Sequence, residues 1–276
     1  MKMLVGQAVL MVLVSSVAVV VKDFTKTCPQ FFATPNGKTT PPTVFIGSQY
    51  KEICHKQASQ NVYEFASHYD SKNRIPVYSA YVFVGRQPCK RKNDLYIEPQ
   101  LDDQNKGPDM ASESSVSKPA THQALNGDYK GSGYHKRHLY PVFHTNTQSC
   151  ADSTFTLTNA APQHPSFNMG EWKSMENGLE KLLDKDCLPN KAFVVTGVVP
   201  SLNPAQFTTN GRVNVPSHFW NAYCCLNNND KPLFSGGYLS SNDKDPGKPF
   251  TSASALDQDL TNLYPAPFQV FGGQCG

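Results

Sequence analysis

Gly133-Tyr134-His135-Lys136-Arg137-His138-Leu139-Tyr140-Pro141, then Leu157-Thr158-Asn159-Ala160-Ala161-Pro162-Gln163, then Phe167-Asn168-Met169-Gly170-Glu171-Trp172 with Glu176 beyond, set a histidine-rich turn, a strand and a helix in close succession. The helix reads from Asn168 to Leu183. Trp172, Met175, Leu179, Leu182 and Leu183 fall on one apolar stripe, while Lys173, Asn177, Lys181 and Asp184 fall elsewhere. Glu176 lies slightly more than two turns beyond Asn168, so the two polar groups face the same side. That order of elements can build a small metal site. Asn168 offers an amide oxygen to a hard cation, and Glu176 can hold one of its waters. His138, neutral near its ordinary pKa, is placed to take a proton from a water attacking a phosphodiester.

Around this segment lies a chain of 276 residues, 39% hydrophobic and 17% charged, which excludes a disordered protein. A formal net charge of +3 excludes nucleic-acid binding by bulk charge, so any polyanion site must be local. Twenty-one Pro and 18 Gly argue against a helical bundle and for a loop-rich mixture of strands and helices. Lys2, the apolar run Leu4 to Val21 and the small residues Ser16-Val17-Ala18 read as a signal peptide over residues 1–18. A membrane anchor is the competing reading of the same run.

Eight cysteines in a chain bound for an oxidising compartment read as disulfides, with connectivity open. Cys224 and Cys225, adjacent on an expected strand, point to opposite faces and so bond to different partners. No Asn-x-Ser/Thr acceptor occurs, so no N-linked glycan is expected. Strands are expected at Val77 to Val84, Phe155 to Thr158, Ala192 to Val199 and Phe219 to Leu226, with a shorter helix at Ala253 to Leu263. Thr34 to Pro42, Asp102 to Ala120 and Ser240 to Thr251 read as surface loops of one domain. The second of these is expected beside a functional site rather than as a linker.

As an ordered set, these motifs resemble the DNA/RNA non-specific endonuclease family, and within it the secreted endonuclease domain-containing branch. Lys72 to Tyr81, Val195-Thr196-Gly197 and Val213 to His218 extend the resemblance, which covers residues 24–276. It implies an α+β, ββα-metal (His-Me finger) fold in a single disulfide-bonded domain. It also implies one divalent cation, Mg2+ or alternatively Mn2+, and hydrolysis of DNA and RNA with little sequence preference outside the cell. By position, His138 matches the general base and Asn168 the metal ligand. Asn159 matches a supporting asparagine, and Glu176 the glutamate that anchors metal-bound water. Arg91, in Lys90-Arg91-Lys92 upstream of Glu98-Pro99, stands for the family's arginine, and Lys136 and Arg137 are expected to bind substrate. No membrane contact is expected once the leader is removed.

The family signature Asp-Arg-Gly-His is His135-Lys136-Arg137-His138 here. Replacing a turn glycine by Arg137 implies backbone strain, and replacing the acid by His135 removes a charge that would raise the pKa of His138. Two functions follow. One is a secreted metal-dependent endonuclease; the other is a secreted binding protein that keeps the fold without turnover. Arg137 separates them: pointing away from the metal position it favours the enzyme, and filling that position it favours binding. Zinc held by His135, His138 and His144 is the competing reading of the histidines, and a solvated surface patch that of Lys90 to Lys92.

Overall fold

The apolar runs at Ala192 to Val199 and Phe219 to Leu226 form the centre of an antiparallel sheet. The computed structural model describes residues 16–57, 62–93, 95–115, 120–187, 191–203, 205–208, 210–243 and 246–276. Among these residues the strands are β1 (Ser16–Val21), β2 (Tyr50–Gln57), β3 (Val62–Asp70), β4 (Ile75–Phe83), β5 (His135–His138), β6 (Ala160–Gln163), β7 (Ala192–Val199), β8 (His218–Leu226), β9 (Pro232–Ser241) and β10 (Lys248–Phe250). The helices are α1 (Phe24–Thr27), α2 (Gln148–Ser153), α3 (Pro165–Met169), α4 (Glu171–Asp186) and α5 (Ala253–Leu263). The large sheet runs β1-β2-β3-β4-β7-β8-β9-β10, and β5 pairs with β6 in a separate ribbon.

Every residue of β7 is buried because both faces of the sheet are covered. Phe193 and Val195 pack with Trp220, Leu256, Leu260 and Phe268 on the face covered by α5. Ala192 and Val194 point the other way, toward Tyr81 of β4 and toward Leu179 and Leu183 of α4. Val198 joins Phe167, Trp172 and Phe219 beneath the β5–β6 ribbon. Strict alternation thus gives a single domain of three layers, with the expected ββα unit of β5, β6 and α3–α4 on one face. Gly197 permits the close approach of strands at this point. A Cβ there would sit 2.6 Å from the Val77 carbonyl oxygen and inside the Trp220 ring.

Several sequence expectations are corrected. The helix expected from Asn168 breaks into α3 and α4 at Gly170, whose φ of −99° and ψ of −105° are not helical. A Cβ on Gly170 would stand 2.9 Å from the Ser166 carbonyl oxygen. Phe155 to Thr158 is not a strand: residues 157–159 turn as a 3-10 helix capped by the Thr156 side chain. The turn expected around His135 is β5, and Arg137 has no left-handed backbone, so the expected strain is absent there. The loop expected from Ser240 contains the end of β9 and all of β10. The loop from Asp102 to Ala120, described except for 116–119, does lie beside the candidate site. The Glu113 carboxylate accepts from the Asn126 backbone amide and from Asn126 Nδ2, and Asn126 lines the site's cavity.

Residues 1–15 of the expected leader lie outside the described residues. β1 begins at Ser16 and pairs with β2 from Ser16–Gln57 to Val21–Glu52, so the expected end of the leader falls within this edge strand. Cys28–Cys54, Cys187–Cys225 and Cys224–Cys275 are disulfides, and the neighbours Cys224 and Cys225 take different partners as expected. Among the described residues no helix is long and apolar enough to cross a membrane.

Candidate nucleic-acid interface

β5 is held in register against β6, with His138 opposite Ala160 and Arg137 opposite Ala161. Asn159, just before β6, fixes the chain beyond His138. Its Oδ1 accepts from Tyr140 N and Ser79 Oγ, each at 2.9 Å. Its Nδ2 donates to Tyr140 O at 3.0 Å and Thr154 O at 3.1 Å. Fully buried, Asn159 has no atom left for a ligand and acts by positioning.

His138 is 6% exposed, and its ring stands edge-on to Phe155 with centroids 5.0 Å apart. Burial, then the charges of Arg91, Arg137 and Lys136, push its pKa down to about 3, so the imidazole is neutral and a poor proton acceptor at neutral pH. Its Nδ1 has no hydrogen-bond partner among the described residues. Arg91 reaches the same place, with its guanidinium 5.8 Å from the Phe155 centroid.

The extended backbone of β5 alternates its side chains, so His135 and Arg137 leave together toward α3. Both engage Asn168. Arg137 Nη1 donates to Asn168 Oδ1 at 2.8 Å, while Asn168 Nδ2 lies 2.9 Å from His135 Nδ1. The other end of the Arg137 guanidinium forms an ion pair with Glu176, through Nη2 and Oε1. Glu176 Oε1 also accepts from Trp172 Nε1 at 3.2 Å. The break at Gly170 places Asn168 and Glu176 on two helices, yet both still reach one point, and that point is the Arg137 guanidinium.

This arrangement does not fit a divalent cation. The amide oxygen expected to ligate it is taken by Arg137, and the Glu176 carboxylate is already paired with the same side chain. Arg91 and Lys136 add positive charge around His138, where a dication would be repelled. Among the described residues no group of three His, Cys, Asp or Glu side chains can hold a metal. The zinc alternative also has no support, since His144 turns away to Tyr81 OH at 2.8 Å and the Glu176 carbonyl oxygen at 3.1 Å.

Beside this cluster opens a cavity of about 690 Å³. Arg91, Lys92, Lys130 and Lys136 line it with His135 and His138, and no carboxylate occurs among the described lining residues. Lys136 Nζ donates to Asn126 Oδ1 at 2.6 Å, and Lys92 pairs with Asp152 at 3.3 Å. Lys136 lines the cavity, whereas Arg137, also expected to bind substrate, is directed inward and is not part of the lining. The acid of the Glu98-Pro99 step is elsewhere. It is buried, accepting from Thr156 Oγ1 at 2.7 Å and Thr158 Oγ1 at 3.1 Å. The pairing of His135 with Asn168 was missed by sequence reasoning, and reading residues 135–138 as a strand would have placed it beside Arg137.

The model for "DNA/RNA non-specific endonuclease" matches residues 48–255. The chain is similar to the human protein named endonuclease domain-containing 1 protein, 30% identical over 255 residues, which is 90% of this chain and 47% of that one. The mouse protein of the same name is also 30% identical, over 257 residues and the same shares of the two chains. The chain thus spans about half the length of these relatives. A solved structure of the EndoG/EndoGI complex shares the fold, with a TM-score of 0.51 at 22% identity over 76% of this chain and 83% of that one.

Proposed function

Because the chain belongs to the DNA/RNA non-specific endonuclease family, we propose that it is a secreted protein that holds the phosphodiester backbone of DNA or RNA in its cationic cavity without metal-dependent hydrolysis. The observation that carries this reading is the Arg137 guanidinium, bound at once to Asn168 and Glu176 where the family resemblance puts the cation. The guanidinium fixes these side chains by hydrogen bonds and charge. It supplies neither an open coordination position nor a bound water of lowered pKa, which are what a metal contributes to hydrolysis. Arg91, Lys92, Lys130 and Lys136 provide the local positive field that the small net charge of the chain does not. The three disulfides support secretion, since such bonds persist in oxidising compartments.

A second reading is a secreted Mg2+- or Mn2+-dependent endonuclease with His138 as base. It is favoured by the meeting of Asn168 and Glu176 at Arg137, the residue before His138, and it requires Arg137 to withdraw.

The test is fluorescence anisotropy of labelled single- and double-stranded oligonucleotides, with the same samples run on a gel. Binding with EDTA present, unchanged by Mg2+ and without product, is the expected result. If four cations contact phosphates, the slope of log K against log salt is about −3.6 for duplex DNA and about −2.8 for single strands. Absence of binding refutes the proposal, and metal-dependent product that disappears in His138→Ala selects the second reading.

A further inference from the structure

Three disulfides leave Cys89 and Cys150 as thiols among the described residues. Their positions are correlated. Residues 87–92 run beside the segment from Thr145 through α2 and are fastened on both sides of the two cysteines. Gln87 N donates to Thr145 O at 3.0 Å. Lys90 N donates to Gln148 Oε1 at 2.8 Å, and Gln148 Nε2 returns a bond to Lys90 O at 3.2 Å. Lys92 Nζ then pairs with Asp152 at 3.3 Å. The partners advance together along both chains, which carries Cys89 past the first turn of α2, where Cys150 sits. Cys150 N is itself held by the capping hydroxyl of Thr147 at 3.0 Å.

We propose that Cys89 and Cys150 close a fourth disulfide when the chain is oxidised, binding the segment that carries Arg91 and Lys92 to α2. Cys89 is half-exposed, with its Sγ 3.4 Å from Gln87 O, whereas Cys150 is buried against Tyr140 OH at 3.1 Å. Burial and the Glu64 carboxylate push the Cys150 thiol up, so Cys89 is the sulfur that reacts first. A disulfide oxidant such as oxidised glutathione accepts the electrons. The Cys89 thiolate attacks one of its sulfurs and expels a thiol. The Cys150 thiolate then attacks Cys89 Sγ in the mixed disulfide and expels the second thiol. Two protons and two electrons leave the protein, and the oxidant becomes two thiols. The flanking bonds hold the two backbones side by side, and closing the bridge requires their Cα atoms to stand within about 7 Å.

The bridge has a consequence for the cavity. Cys89 adjoins Lys90-Arg91-Lys92, and Arg91 and Lys92 line the cavity, so the bond anchors these cations to the scaffold. The bridge is independent of what the cavity binds, and it is tested by mass alone.

The experiment is acid quenching of the secreted full chain, alkylation under denaturing conditions without reductant, and peptide mapping. The expected result is no alkyl group on Cys89 or Cys150, a Cys89–Cys150 linked peptide, and alkylation of all eight cysteines after reduction. Alkylation of both residues without reductant overturns the proposal, as does Cys89 linked to another molecule with Cys150 alkylated. In Cys89→Ser, Cys150 becomes alkylatable without reductant while the other three bridges persist. Continued protection of Cys150 in that variant means another partner and also overturns it.

Discussion

Arg137→Gly removes the group that joins Asn168 to Glu176 and leaves a buried carboxylate behind. The Arg137 and Glu176 side chains are only 16% and 8% exposed, so their pairing is not a surface ion pair. Deleting one partner of a buried pair costs about 3–5 kcal/mol, because the remaining charge stays desolvated. Glu176 keeps its bond from Trp172 Nε1, which favours the lower end, about 3 kcal/mol. For a chain of this size that corresponds to a fall in Tm of roughly 6–12 °C. The same substitution frees Asn168 Oδ1 and the Glu176 carboxylate for a hard cation. If Mg2+ then binds, a concentration one hundred times its Kd returns about 2.7 kcal/mol to the variant and nothing to the wild type. Thermal melts of both proteins in EDTA and in a Mg2+ series read these quantities. A wild type stabilised by Mg2+, or a variant as stable as the wild type in EDTA, refutes the reasoning.

Gly197→Ala drives a methyl group into Val77 O and Trp220 and is expected to cost about 1–3 kcal/mol in urea unfolding with an unchanged m value. No loss would show that β4, β7 and β8 can separate there. Arg91→Ala and Lys136→Ala are each expected to weaken oligonucleotide binding across all sequences and to flatten the salt slope by about one, and an unchanged slope would remove that side chain from the interface. Burial pushes Glu98 up to about 7 from 4.5, with the Thr156 and Thr158 hydroxyls opposing, and pushes its neighbour His55 down to about 3. The Glu98 contribution to stability is therefore full below pH 4.5 and lost as pH rises through about 7, while that of His55 is full above 6.5 and lost as pH falls through about 3. Denaturant melts should show Glu98→Gln gaining on the wild type between pH 4.5 and 7, and a constant difference across that window contradicts the assignment.

The sequence was most legible where one physical signal dominated. β7 and β8 are continuous apolar runs because both sheet faces are covered, and α5 lies at its expected residues behind the Ser252 cap. β2 and β3 escaped because Lys51, Glu52, His55, Ser67, His68 and Asp70 dilute their apolar content. The buried members are satisfied locally, as in the His55, Ser67 and Ser79 chain with contacts of 3.1 and 2.9 Å. β9 escaped because Gly236 and Gly237 resemble a break, although their missing side chains leave room for Tyr223 and Leu256. Phe155 to Thr158 has strand-like composition, but the Thr156 hydroxyl caps a 3-10 turn and reaches Glu98.

At the site, the family resemblance named His138, Asn159, Asn168 and Glu176, and the structure brings Asn168 and Glu176 to the Arg137 guanidinium. The destination of Arg137 depended on the strand alternation of β5, which reading a turn there concealed.

Cleavage of plasmid DNA and of RNA by the wild type and by Arg137→Gly, each with Mg2+, Mn2+ and EDTA, tests the central claim most directly. The expected result is an inert wild type and a variant that cuts only with metal. Metal-dependent cutting by the wild type, lost in His138→Ala, would contradict it.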